Sequence, residues 1–206
     1  MPRLALAWVS TFAVKHRSRQ IPIGESAAEF LRLMGLGDDG RRYSALRKQM
    51  HALAACRIQL GYLGRTYSGQ PVEQFDAWMA NKDHQRSLWP GVMVLSDGYY
   101  RSLIQAPVPL DNRAMIQLKG SAFALDVYVW LAHRLHRIDG QPIEIKWERL
   151  REQFGQEYKD LRSFKQEFLR VLKLVLTVYP KARVKPIEGG LLLYASSPPI
   201  PFKGTA

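Results

Sequence analysis

The sequence predicts an α+β chain that runs through one order of elements twice: three helices, then a returning pair of strands. Three observations predict it. Apolar residues recur at helical intervals in two blocks separated by the junction Pro107-Val108-Pro109. In each block a short extended segment containing proline, Gln20-Ile21-Pro22-Ile23 and then residues 142–146, separates the first two helices. Each block closes on two runs with strand character, 57–63 with 91–96 and 182–187 with 191–196.

The first helix covers residues 4–16, with Leu4, Trp8 and Phe12 on one stripe. Ser26 caps a second helix that reaches residue 34, and Glu29, three residues on, completes a capping box. Residues 35–40 end it, and a third helix over 41–55 passes into the strand 57–63. A loop over 64–90, rich in Gly, Pro and polar residues, leads to the partner strand 91–96. In the second block residues 121–138 form a helix with Phe123, Val127, Trp130, Leu131 and Leu135 on one face. A helix over 147–154 is stopped by Gly155, and a third helix covers 159–178. The closing strands meet at Glu188-Gly189-Gly190, a good turn sequence. Short helices over 97–105 and 111–119 flank the junction. Three helices followed by a β-hairpin is the winged-helix order, a variant of the helix-turn-helix. Any α+β domain can mimic one copy, but two copies in one chain reinforce each other. The expectation is two tandem winged-helix domains, residues 1–106 and 107–206.

Composition narrows the function classes. Hydrophobic residues make up 47% of the 206 and charged ones 23%, a balance that argues for folded rather than disordered chain. Thirty Lys and Arg against eighteen Asp and Glu leave a formal charge of +12, divided evenly between the two halves. A folded chain basic throughout calls for a polyanion, and nucleic acid is the commonest one. Solubility charge or an acidic protein partner is the competing explanation. Cys56 is the single cysteine, which excludes an internal disulfide framework and a cysteine-based zinc site. No apolar run approaches the roughly 20 residues that span a bilayer, and the apolar stretch 4–14 lacks a basic leader and a cleavage site. An intracellular, cytoplasmic protein without a membrane role is expected.

Function is expected on the third helices. Tyr43, Leu46, Met50 and Leu53 make one apolar stripe, and Leu161, Phe164, Phe168 and Val171 make another at identical spacing. At about 100° per residue, the face opposite the first stripe carries Arg41, Ala45, Lys48 and Ala52, flanked by Ser44 and Gln49. Arg42 and Arg47 add charge to the same helix. The corresponding face of the second carries Lys159, Ser163, Gln166 and Arg170, flanked by Arg162 and Lys173. No carboxylate occupies the four central positions of either face, whereas an ordinary solvated face mixes in Glu and Asp. The set suits a helix in a major groove: Arg and Lys reach guanine or phosphate, Gln reads adenine, and Ala packs on a thymine methyl. Arg57 and Arg65 in the first wing, and Lys181, Arg183 and Lys185 in the second, fit phosphate contacts, although exposed wings are commonly polar anyway.

Other constellations point away from chemistry. The run 35–40 matches G-x-G-x-x-G, but it follows a helix rather than a strand and Asp38 and Asp39 repel a pyrophosphate, so a loop capping two helices is expected. No P-loop motif occurs. His133 and His136 share a helix but have no nearby cysteine, and neither a metal nor a cofactor is expected. Trp8, Trp130 and Trp147 fall on apolar stripes or element starts, which assigns them to the core rather than to base stacking. A rolling-circle nickase, with Tyr99 or Tyr100 as nucleophile, needs two histidines flanking one apolar residue on a strand, and no such triplet exists. A winged-helix transcriptional regulator without a replication role is the remaining alternative, and an enzyme is not expected.

Several segments together resemble a known family. They are PRLALAWVSTFAVKHR from Pro2 with SRQIPIG from Ser18, SAAEFLRLMGL from Ser26, LRKQMHAL from Leu46 and SLWPGVMVLSDGYY from Ser87. PVPLD from Pro107 and ALDVYVWLAHRL from Ala124 are the most specific, and LKLVLTVYPKARV and LLLYASSPPIP near the end fit as well. In these the chain resembles the plasmid-encoded RepA-type replication initiators over nearly its whole length. The resemblance implies a bacterial plasmid protein that binds double-stranded repeats, iterons, at its own origin. It further implies opening of AT-rich DNA, partnership with the host initiator and replicative helicase, and a homodimer that represses the chain's own gene. That family usually has additional residues upstream of the first helix, which Met1 abuts here.

Overall fold

The computed structural model of the protein describes residues 2–36, 40–62, 65–76 and 91–201, without the side chains of 40–42, 60–62, 65–67 and 76. The chain is α+β and divides into two compact units, Met1–Pro107 and Val108–Ala206.

The first unit runs α1 (Pro2–His16), β1 (Gln20–Pro22), α2 (Ala27–Leu33), α3 (Gly40–Ala54), β2 (Ile58–Tyr62), β3 (Arg65–Gly69), β4 (Val72–Asp76), β5 (Val92–Leu95) and α4 (Asp97–Gln105). Its three-stranded antiparallel sheet has the order β1-β5-β4, with Ile21 opposite Met93 and Phe75 opposite the same residue. Arg19 ties that sheet together, its Nε donating to the Leu95 carbonyl at 2.9 Å while its guanidinium pairs with Glu73. Leu4, Ala5, Val9 and Ala13 of α1 are buried with Ile21, Ile23, Phe30, Leu46, Met50, Met93 and Leu95. The stripe on α1 is therefore turned from the expected Leu4, Trp8, Phe12 line. Trp8 and Phe12 stand half-buried at its margin, where Trp8 meets Phe30 edge-on at 5.3 Å. Small Ala and Val side chains take the fully buried positions, and the two large rings stand beside them.

The pairing expected between 57–63 and 91–96 is not what forms. β2 pairs with β3, in register from Ile58–Gly69 to Tyr62–Arg65, as a hairpin of its own. β5 pairs instead with β4 and β1. Thr66, Tyr67, Val72 and Phe75 are good strand formers, and the surrounding Gly and Pro hid their pattern. Much of the expected loop over 64–90 is thus strand, and residues 77–90 lie outside those described.

The start of α2 is capped as expected, Ser26 Oγ accepting from Glu29 N at 3.1 Å. The returning bond of the box is displaced by one residue: the Glu29 carboxylate accepts from Glu25 N at 2.7 Å. At the other end Gly35 takes φ 72° and Leu36 N donates back to Leu31 O at 2.9 Å, closing the helix. Gly35 is thus a helix cap, and Gly37, Asp38 and Asp39 of the G-x-G-x-x-G run lie outside the described residues.

The second unit runs α5 (Asn112–Gln117), α6 (Ala122–Arg134) with a 3-10 turn over Leu135–Arg137, β6 (Ile143–Lys146), α7 (Trp147–Phe154), α8 (Leu161–Val178), β7 (Val184–Ile187) and β8 (Gly190–Leu193). The sheet order is β6-β8-β7, antiparallel throughout. The two units thus share a core order: helix, strand, two helices, then two strands that complete a three-stranded sheet with the last strand in the middle. The first unit adds the β2–β3 hairpin before β4 and α4 after β5, and the second adds α5 before α6. Phe168 is fully buried and meets Phe123, Trp130, Trp147, Phe154 and Phe164 at 5.5 to 6.5 Å. Burying a phenylalanine is worth roughly 1.5–3 kcal/mol, so this cluster fixes which face of α8 points inward.

Tyr128, absent from the expected stripe of α6, is fully buried. Its Oη accepts from Asp111 N at 2.9 Å, while Tyr179 Oη donates to Ser197 O at 2.8 Å. Burial pushes both phenols up to about 12. The folded state therefore keeps protons that the unfolded chain releases. The stability they contribute is complete below about pH 10 and is lost as pH rises through about 12. A tyrosinate absorbance titration should show at least two of the nine tyrosines ionising last. Tyr128→Phe should remove one of them and cost about 1 kcal/mol, because the Asp111 N–H loses its acceptor. Nine phenols titrating together near pH 10 would contradict this.

Candidate nucleic-acid interface

α3 is anchored by Leu46 and Met50, both fully buried, with Tyr43 and Leu53 half-buried beside them. That anchoring decides which residues face outward. Ser44, Lys48 and Ala52 are exposed, and Ala45, Arg47 and Gln49 are half-exposed. Gln49 Oε1 is turned inward and buried without a hydrogen-bond partner, so its carbonyl is not presented for base reading. Arg41 and Arg42 begin the helix, but their side chains lie outside the described residues. Arg57 is exposed just before β2, and Arg65 opens β3 with its side chain undescribed. No carboxylate occurs between Asp39 and Glu73, while Arg41, Arg42, Arg47, Lys48, Arg57 and Arg65 all fall there. The helix and the hairpin after it thus form one acid-free basic stretch, a signal present in the sequence and unused in reading it.

α8 begins two residues later than expected, because Asp160 is its N-cap: Oδ1 accepts from Ser163 N at 2.7 Å. Lys159 therefore lies in the connection before the helix, exposed, with its carbonyl accepting from Arg151 Nη2 at 3.0 Å. Ser163 is exposed on the helix, yet its hydroxyl donates to Asp160 Oδ2 at 3.0 Å and belongs to the cap. The backbone N–H of Ser163 holds the Asp160 carboxyl below the usual carboxylate range. Arg162, Gln166 and Lys173 are exposed. Arg170 is exposed and doubly bonded to Glu167, Nε to Oε2 at 2.7 Å and Nη2 to Oε1 at 2.5 Å. Ser163, Gln166, Glu167 and Arg170 together line an open depression of about 290 Å³. The sequence reading missed Glu167; its position three residues before Arg170 was the available signal.

The strand pair of the second unit turns in two residues, Glu188-Gly189, between β7 and β8. Trp147 Nε1 donates to Glu188 O at 3.1 Å, Trp147 N to Gly189 O at 3.1 Å, and Lys165 Nζ to Glu188 O at 3.4 Å. The tip is therefore tied to the start of α7 and carries an acidic residue. Lys181 and Arg183 precede β7 and Lys185 lies on it, all exposed, with the Arg183 guanidinium 5.2 Å from the Tyr194 ring centre. Its cations lie at the base and along the outer strand of the hairpin.

Three of the residues considered for chemistry, Tyr99, His133 and His136, are engaged structurally. Tyr99 Oη is 3.2 Å from Ser10 Oγ, and burial pushes its phenol up, the opposite of an activated nucleophile. His133 Nε2 lies 2.6 Å from Arg137 Nη1, and His136 Nδ1 lies 2.7 Å from Ala132 O. Burial and Arg137 hold His133 below the ordinary imidazole range. Among the described residues no cluster of three His, Cys, Asp or Glu exists that could hold a metal, and no helix is long and apolar enough to cross a membrane.

Two solved structures of domains 2 and 3 of RctB are similar to this chain. One gives a TM-score of 0.52 at 11% identity over 93% of this chain and 79% of that one. The other, a selenomethionine derivative, gives 0.58 at 12% identity over 94% and 81%. At such identities the likeness speaks to the fold. No curated protein matches the sequence. A family model described as "Plasmid encoded RepA protein" matches residues 1–148, which includes all of the first unit and the second up to the start of α7. The chain belongs to the plasmid-encoded RepA family of replication initiators.

Proposed function

We propose that this chain is a sequence-specific reader of double-stranded DNA, built as two tandem winged-helix units that bind iteron repeats at a plasmid origin. The observation that carries the reading is the repeated topology, which leaves a basic outer face on the third helix of each unit. Lys48 with Arg47, Ala45 and Ala52 reads from α3; Arg162, Gln166, Arg170 and Lys173 read from α8. Arg41, Arg42, Arg57 and Arg65 supply phosphate contacts beside the first helix, and Lys159, Lys181, Arg183 and Lys185 beside the second. The tied, acid-tipped hairpin of the second unit favours contacts from its outer strand over insertion of its tip.

Family membership supports a part in replication initiation; on this reading the bound protein opens AT-rich DNA and brings in the host initiator and helicase, in the cytoplasm, with a homodimer for self-repression. Strand opening of this kind needs no catalytic site or cofactor in this chain, because the motor is borrowed. Footprinting on the origin should show protection of about 20 base pairs across two successive groove segments. Protection confined to one groove segment would count against two readers. A plasmid-maintenance assay separates initiation from transcriptional regulation alone, since only an initiator sustains the origin.

A further inference from the structure

We infer that Glu167 is a specificity-determining residue, a positioning carboxylate that aims Arg170 at one guanine and makes α8 discriminate against unselected DNA. The inference rests on the reading of α8 as a DNA-facing helix and deepens it. Glu167 grips Arg170 side-on, through Nε and Nη2. An arginine has five N–H donors, and this grip leaves the end-on edge, Nη1 with the outer hydrogen of Nη2, free. Two parallel donors on one edge match the O6 and N7 acceptors of guanine. A free arginine side chain samples many rotamers before it reaches a base; the pair on one helix face removes that search beforehand.

The surroundings agree. Arg170 is 63% exposed and Glu167 33%, so the guanidinium reaches outward past the carboxylate that holds it. Gln166 lines the same depression, and the Ser163 hydroxyl there is engaged by Asp160. Burial first, and then the nearby Glu167 charge, push the Tyr158 phenol up, while the Arg170 charge lowers it, so Tyr158 lies close to the pair. The carboxylate has a second effect. A phosphate brought to this place meets Glu167 as well as Arg170, so backbone docking there is penalised while guanine contact is not. A lone arginine would bind both.

The test is selection from a pool of duplexes randomised over about 20 base pairs, with wild type, Glu167→Gln and Arg170→Ala, each checked for an unchanged thermal transition. Wild type should enrich a motif containing one strongly preferred guanine. Arg170→Ala should flatten that position by roughly ten- to a hundredfold. Glu167→Gln should weaken the preference at the same position several-fold and raise affinity for unselected duplex. If Glu167→Gln keeps the wild-type preference at every position, or flattens a different position from Arg170→Ala, the inference is overturned. If wild type enriches no motif, the reading of α8 as a DNA reader fails first, and the wild-type selection alone reports it.

Discussion

Replacing Gly190 by alanine is expected to cost the second unit about 3 kcal/mol or more, the upper end for overpacking a filled interior. Gly190 opens β8, the middle strand of the only sheet described in that unit, and faces Lys146 on one side and Ile187 on the other. A Cβ there would stand 2.0 Å from the Ile145 carbonyl oxygen and 2.9 Å from Lys146 Cα. These are backbone atoms of β6, which no rotamer change moves aside. The strands must part, and the contacts of Trp147 with the neighbouring turn are strained with them. For a unit of this size the lost stability corresponds to a fall of roughly 12–24 °C in thermal midpoint. Gly120→Ala is the matched control: nothing lies within 4 Å of its added Cβ, and the change should stay within about 0.5 kcal/mol. Equal midpoints for the two variants would show that β6 and β8 do not pack as described.

Lys48→Ala and Arg170→Ala together are expected to reduce specific DNA binding by roughly a hundredfold or more, from about 1–3 kcal/mol lost at each helix. Both side chains are exposed, and neither supports the core. Thermal stability should therefore be unchanged. The two losses should add, since the residues lie on different units and share no partner. Each single variant separates two roles. A residue reading a base edge relaxes preference at one position; a residue on a phosphate weakens all sequences alike and lowers the salt slope by about one. Wild-type affinity in both single variants would remove α3 and α8 from the interface.

The parts of the fold that were legible in the sequence are those governed by amphipathic helices. Leu46 and Met50, and Phe164, Phe168 and Val171, are buried as their spacing required, because a helix of this length has one cheap way to hide such a stripe. The opposite faces followed directly. Strand pairing was less legible, since β2 to β5 are short and their partners depend on long-range contacts that no local pattern encodes. The buried stripe of α1 differs from the expected one because the small residues Ala5, Val9 and Ala13, and not the large rings, are the fully buried ones.

At the site, local structure changed the roles of four residues, Lys159, Ser163, Arg170 and Gln49. The Asp160–Ser163 cap moved Lys159 off α8 and engaged the Ser163 hydroxyl. Glu167 joined Arg170 from one turn away, although no carboxylate stands at the central positions. Gln49 turned its carbonyl inward, which spacing alone does not reveal. The family match covers residues 1–148, so α8 and its strand pair stand on the topology they share with the first unit.

The most direct test of the central claim is fluorescence anisotropy of the chain on a direct repeat from its own plasmid origin, against a scrambled duplex, across a salt series. Preference for the repeat by about three decades or more, with a steep fall of affinity as salt rises, is the predicted result. Equal, weak binding to both duplexes at every salt concentration would contradict it.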